Sequence, residues 1–113
     1  MSEVNLIFEV HGYRPIWAKN HPNIIYSESR YRIYVDTDLI TERTWSWDNN
    51  ILLNENIWVY GDINSTYTLN IIPVIHNINQ AKFTIGNLKI SNILSYIKQI
   101  TDLQIEYKLI NTL

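Results

Sequence analysis

The chain has no cysteine, so disulfides and thiolate metal sites are excluded. Glycine occurs three times, as Gly12, Gly61 and Gly86, and the three are too far apart to build a phosphate-cradling loop. No Gly-x-Ser-x-Gly nucleophile elbow exists. Alanine, the strongest helix former, occurs only twice. No apolar run approaches the roughly 18 residues a membrane helix needs. The opening Met1-Ser2-Glu3-Val4 has no basic stretch leading into an apolar one, so no signal peptide is expected. The Asn64-Ser65-Thr66 acceptor pattern is accordingly read as accidental. Basic residues are not in excess: nine Lys and Arg stand against eleven Asp and Glu, for a net charge of −2. That balance argues against affinity built on phosphate contacts, and neither nucleic acid nor membrane is expected as a partner.

What is present points to β structure. Ile, Val and Thr together make up 33 of the 113 residues. Branching at Cβ stiffens these side chains and suits them to a pleated sheet. The apolar fraction of 46% is that of a globular chain, and the length fits one domain over residues 1–113. Val4, Leu6, Phe8 and Val10 alternate with more polar residues, the period of a half-buried strand. Tyr31, Ile33 and Val35 repeat the pattern, as do Tyr67, Leu69 and Ile71, and later Leu103, Ile105, Tyr107 and Leu109. Further strands are read at Ile24–Tyr26, Thr41–Trp47, Ile57–Tyr60 and Lys82–Ile90, the last with a bulge or bend at Gly86-Asn87. Pro73 is expected to end a strand or lie on an edge. Ile90, Ile93, Leu94, Ile97 and Ile100 fit helical spacing, so a short helix is expected near residues 91–100. The sum is an all-β, two-sheet antiparallel sandwich, jelly-roll-like, with one short helix near its C-terminus.

Residues able to do chemistry are scattered. His11, His21 and His76 have no metal-ligand spacing. Asp36, Asp38, Asp48 and Asp62 sit in turns, where an oxygen-rich calcium site is one reading and ordinary turn chemistry the preferred one. No metal, cofactor or catalytic constellation is expected, and the chain is not expected to be an enzyme.

The aromatics carry more information. Arg43, Trp45 and Trp47 alternate and therefore share one face of a strand, as do Trp58 and Tyr60 on the next. The two pairs are expected to stand side by side across a hairpin. If that face is buried it is core. If exposed, it is a sugar-stacking platform or a protein interface, with Arg43, Trp45 and Trp47 as its anchors and Arg43 at the rim.

The stretch Tyr31-Arg32-Ile33-Tyr34-Val35-Asp36-Thr37-Asp38-Leu39-Ile40-Thr41-Glu42-Arg43-Thr44-Trp45-Ser46-Trp47-Asp48 resembles a pattern in small proteins of marine tailed bacteriophages, particularly those of cyanobacteria. Asn54-Glu55-Asn56-Ile57 and Tyr67-Thr68-Leu69-Asn70-Ile71 are similar to the strands that follow there, so the resemblance spans roughly residues 29 to 90. It carries no motif of known chemistry. It implies a virion β-sandwich: a capsid decoration or other accessory protein, made in the host cytoplasm and bound to a symmetric lattice of capsid or tail proteins, with self-association as a further possibility. The alternative expectation, from the Trp pairs and a looser likeness to carbohydrate-binding jelly rolls, is a glycan-binding module.

Overall fold

A computed structural model describes residues 2–13, 29–45, 51–74 and 82–112. These form β1 (Ser2–Tyr13), β2 (Ser29–Val35), β3 (Asp38–Trp45), β4 (Ile51–Gly61), β5 (Thr66–Val74), β6 (Lys82–Ile90), β7 (Ile93–Thr101) and β8 (Gln104–Thr112). A three-stranded sheet has the order β4-β1-β6 and a five-stranded sheet the order β3-β2-β5-β8-β7. All pairings are antiparallel. The two-sheet sandwich read from the sequence is therefore present. Its first and last strands lie in different sheets, a departure from the first-to-last pairing of a jelly roll.

The period-two patterns fill the space between the sheets. Val4, Leu6, Phe8 and Val10 from β1 are buried, and so are Ile57 and Val59 from β4 and Phe83, Ile85 and Leu88 from β6. They meet Tyr31, Ile33 and Val35 from β2, Leu69 and Ile71 from β5, and Ile105, Tyr107 and Leu109 from β8. Gly61, at the end of β4, is small because it must be: a Cβ there would lie 2.6 Å from Leu109 Cδ1 and 3.3 Å from the Tyr67 ring. Leu109 is fully buried and has little room to yield. Gly61→Ala is expected to cost about 1–3 kcal/mol, the usual penalty of overpacking, measurable by chemical denaturation.

With so few glycines, the tight turns fall to Asn and Asp. Asp36, Asn64, Asn87 and Asn92 all have positive φ, between 52° and 69°, while no described glycine does. These two residue types tolerate the left-handed region best after glycine, because their short polar side chains bond locally. Asp36 makes a double link: its N–H donates to Thr68 O at 2.8 Å, and its Oδ1 accepts from Thr68 N–H at 2.8 Å. Asn87 sits in β6 where its register against β1 shifts between Ile7 and Glu9, at the position where the sequence suggests a bulge.

Two expectations need correction. Residues 93–101 are not a helix but β7, and no helix occurs among the described residues. Asn92 takes φ 63° and turns the chain into β7. The apparent helical spacing arises because this edge strand carries large apolar residues, exposed as well as buried: Ile93 is buried while Leu94, Tyr96, Ile97 and Ile100 are exposed. Pro73 neither ends its strand nor lies on an edge: β5 runs on to Val74, paired with β2 with Tyr31 opposite Pro73 and Arg30 opposite Val74, and is a central strand. Ile71 N–H donates across to Leu103 O at 2.9 Å, and β8 pairs with β5 only over Thr66–Asn70. Two residues beyond Ile71, the Pro73 nitrogen faces the same side past the end of β8, where its missing N–H costs no ladder bond. The expected strand at Ile24–Tyr26 lies outside the described residues.

The sandwich is closed on both flanks by polar contacts. On one, Ile85 N–H of β6 donates to Asp102 O at 2.7 Å, and Gln99 Nε2 of β7 donates to Ile85 O at 3.1 Å. On the other, Glu55 of β4 reaches across to β2 and β3.

Candidate functional site

Arg43 and Trp45, two of the anticipated anchors, lie two residues apart on one strand. Arg43 lies on β3, an edge strand of the five-stranded sheet, opposite Tyr31 in register. Its side chain is 41% exposed, and Nε donates to both Glu55 oxygens at 3.2 Å. Its Nη1 donates to Thr41 Oγ1 at 2.8 Å. Trp45 closes β3, and Trp47 lies outside the described residues. The expected hairpin between the two Trp pairs does not exist: β3 pairs with β2, and β4 pairs with β1 in the other sheet. Because Ile57 and Val59 point into the core, the pleat sends Trp58 and Tyr60 to the opposite side, into solvent.

Glu55 was not singled out by the sequence reading, although it interrupts the inward row Leu53, Ile57, Val59 with a charge. It is buried, and its Oε1 accepts from Tyr31 Oη–H at 2.6 Å in addition to Arg43. Tyr31 packs a tilted ring on Phe83, with centroids 4.9 Å apart. Burial pushes the Tyr31 phenol pKa well above its ordinary value, and the adjacent Glu55 carboxylate, as hydrogen-bond acceptor and as negative charge, pushes it further. Burial raises Tyr107 likewise. A raised pKa means the native state holds its proton where the unfolded chain has lost it. The stabilisation is complete below pH about 10 and is lost as pH rises above it. Tyr31 and Tyr107 are thus expected to ionise only on unfolding, as a cooperative alkaline step in an absorbance titration coincident with loss of circular dichroism. The cluster is a clasp between sheets, in which one buried carboxylate meets the Tyr31 hydroxyl and the Arg43 guanidinium.

The outer face of the three-stranded sheet has a different character. Along β4, Leu52, Asn54, Asn56, Trp58 and Tyr60 alternate outward and are all exposed. Trp58 and Tyr60 are 60% and 65% exposed, and a two-residue step sets them roughly 7 Å apart. Trp58 stands opposite Asn5 of β1 and Tyr60 opposite Glu3. Asn5 is buried on this same face; its Nδ2 donates to Asn56 Oδ1 and to Ile57 O, the latter at 3.1 Å. Those bonds fix the amide beside the indole. Farther along the face, the β6 bulge and β1 frame an open depression of about 440 Å³ lined by Ile7, Phe8, Glu9, Asn54, Asn87, Leu88 and Lys89. Asn87 Nδ2 donates to Glu9 Oε2 at 2.6 Å within it. Apolar rings at one end and amides, a carboxylate and an ammonium at the other thus share one sheet surface.

No group of three or more His, Asp or Glu side chains able to hold a metal comes together among the described residues. No helix among them is long and apolar enough to cross a membrane. Comparison with known protein families, with curated proteins and with solved structures finds no match for this chain.

Proposed function

We propose that the chain is a saccharide-binding module whose contact surface is the outer face of β4-β1-β6, the second of the two roles expected from the sequence. The observation that carries this is the exposed Trp58–Tyr60 pair on the same sheet face as the depression lined by Asn54, Asn87, Glu9 and Lys89. A pyranose has a flat C–H face and a rim of hydroxyls. The first suits an exposed indole, which presents a large apolar surface with few rotatable bonds. The second needs fixed donors and acceptors, which Asn54, Asn87, Glu9 and Lys89 supply in different combinations. A mostly apolar surface with a few placed polar groups is the usual construction of a small-molecule site. The test is a glycan array probed with the full chain. Binding to a restricted set of saccharides supports the reading, and a blank array removes it.

A second reading is an accessory protein of a tailed-phage particle, acting through Arg43, Trp45 and Trp47. It draws on the resemblance over residues 29 to 90, and one observation favours it: the Arg43 guanidinium sits on an edge strand, held in place by Glu55 yet 41% exposed, as a rim residue of an interface would be. Copurification of the chain with intact particles would distinguish it.

A further inference from the structure

The four sheet edges are not alike. Within its span β3 carries Asp38, Glu42 and Arg43, charges that discourage pairing with another strand. β4 is tied to the opposite sheet through Glu55, and the β6 edge is occupied at Ile85 by Asp102 O and Gln99. β7 is less protected, its tie to the smaller sheet being the bond from Gln99 Nε2 to Ile85 O near one end. It is nine residues long, ends the five-stranded sheet, has no strand on its outer side among the described residues, and carries one charge, Lys98. The smaller sheet covers it incompletely. Ile97 stands opposite Tyr107 and so points inward, yet it is 38% exposed; Leu94, Tyr96 and Ile100 are 51%, 57% and 44% exposed. An unpaired edge with exposed apolar side chains is a template for another strand.

We propose that this edge joins two copies of the chain: β7 pairs antiparallel with β7 of a second copy about a two-fold axis at Ile97, merging the two five-stranded sheets into one. The sequence of β7 is self-complementary about that residue. With Ile97 opposite itself, Tyr96 faces Lys98, Ser95 faces Gln99, Leu94 faces Ile100 and Ile93 faces Thr101. Apolar residues meet apolar ones, a hydroxyl meets an amide, and the ammonium meets an aromatic ring. Moving the axis to Lys98 would oppose two ammonium groups, and moving it to Tyr96 would set Lys98 against Leu94. An axis perpendicular to the sheet also keeps the inward face of one copy continuous with that of the other, so the two Ile97 side chains cover each other. The register shifts against β8, between Leu94 and Ser95 and between Gln99 and Thr101, leave the central segment regular where the axis passes. Isologous contacts of this kind close at two copies. The dimer is independent of what the aromatic face binds, which lies on the other sheet.

The test is sedimentation equilibrium of the full chain at about 100 μM, where an interface of micromolar Kd is mostly occupied. A dimer is expected. Ile97→Lys places like charges face to face on the axis at a half-exposed position, so its dimer should weaken roughly a hundredfold or more with an unchanged circular dichroism spectrum. Since the chain has no cysteine, register can be read by cross-linking. Ile97→Cys should form a disulfide with itself on mild oxidation, while Tyr96→Cys should cross-link only when mixed with Lys98→Cys. A monomer at that concentration, a dimer that persists in Ile97→Lys, or cross-linking of Tyr96→Cys to itself in place of Ile97→Cys overturns the proposal.

Discussion

Trp58→Ala is expected to weaken saccharide binding by about 2 kcal/mol or more, roughly thirtyfold, while changing folding stability by less than about 1 kcal/mol. The asymmetry follows from position. The indole is 60% exposed, so little apolar burial is lost when it goes. Its one structural duty is to stand opposite Asn5, whose amide is already bonded to Asn56 and to Ile57 O and stays satisfied without it. A core aromatic behaves oppositely: truncation costs about 3–5 kcal/mol of stability. Titration calorimetry for binding and urea denaturation for stability separate the two. Tyr60→Ala should follow Trp58→Ala with a smaller loss, because a phenol ring offers less stacking area than an indole.

The largest effect on stability outside the apolar core is expected at Glu55. Glu55→Ala removes the acceptor of the buried Tyr31 hydroxyl and the counter-charge of Arg43 at once. Leaving a buried donor unpaired costs about 1–3 kcal/mol, and the emptied volume adds to it. Arg43 adds less, because a guanidinium 41% exposed can turn to water. A total of roughly 2–4 kcal/mol is expected in urea denaturation. Glu55→Gln keeps an acceptor for Tyr31 and should cost clearly less. Tyr31→Phe in the Glu55→Ala background should recover part of the loss, because it removes the orphaned hydroxyl. Without that recovery, the hydroxyl is not what makes the Glu55 change expensive.

The strands were legible because alternation leaves a strong mark when one face is dry. In β1, β2, β5 and β8 the inward rows read directly as Val4 to Val10, Tyr31 to Val35, Leu69 with Ile71, and Ile105 to Leu109. β4 was ambiguous by the same logic, since both of its faces carry large apolar groups: Leu53, Ile57 and Val59 on one, Leu52, Trp58 and Tyr60 on the other. Only the packing of the second sheet decides which row is core. β7 misled for a related reason, because apolar residues exposed on an edge imitate helical periodicity. The Glu55–Tyr31–Arg43 cluster joins three strands from two sheets, and no local spacing encodes it. A charge inside an otherwise apolar row was the one available signal. With only three glycines in the chain, Asn64, Asn87 and Asn92 occupy left-handed backbone positions that glycine would otherwise fill.

The central claim is that the exposed face of β4-β1-β6 recognises sugar. Its most direct measurement is the Trp58 indole N–H resonance, followed while an array-selected saccharide is titrated into the full chain. The account predicts a saturable shift of that resonance, together with shifts of the Asn54 and Asn87 side-chain amides. A saturable titration that leaves all three unmoved, while residues of the five-stranded sheet respond, would contradict it.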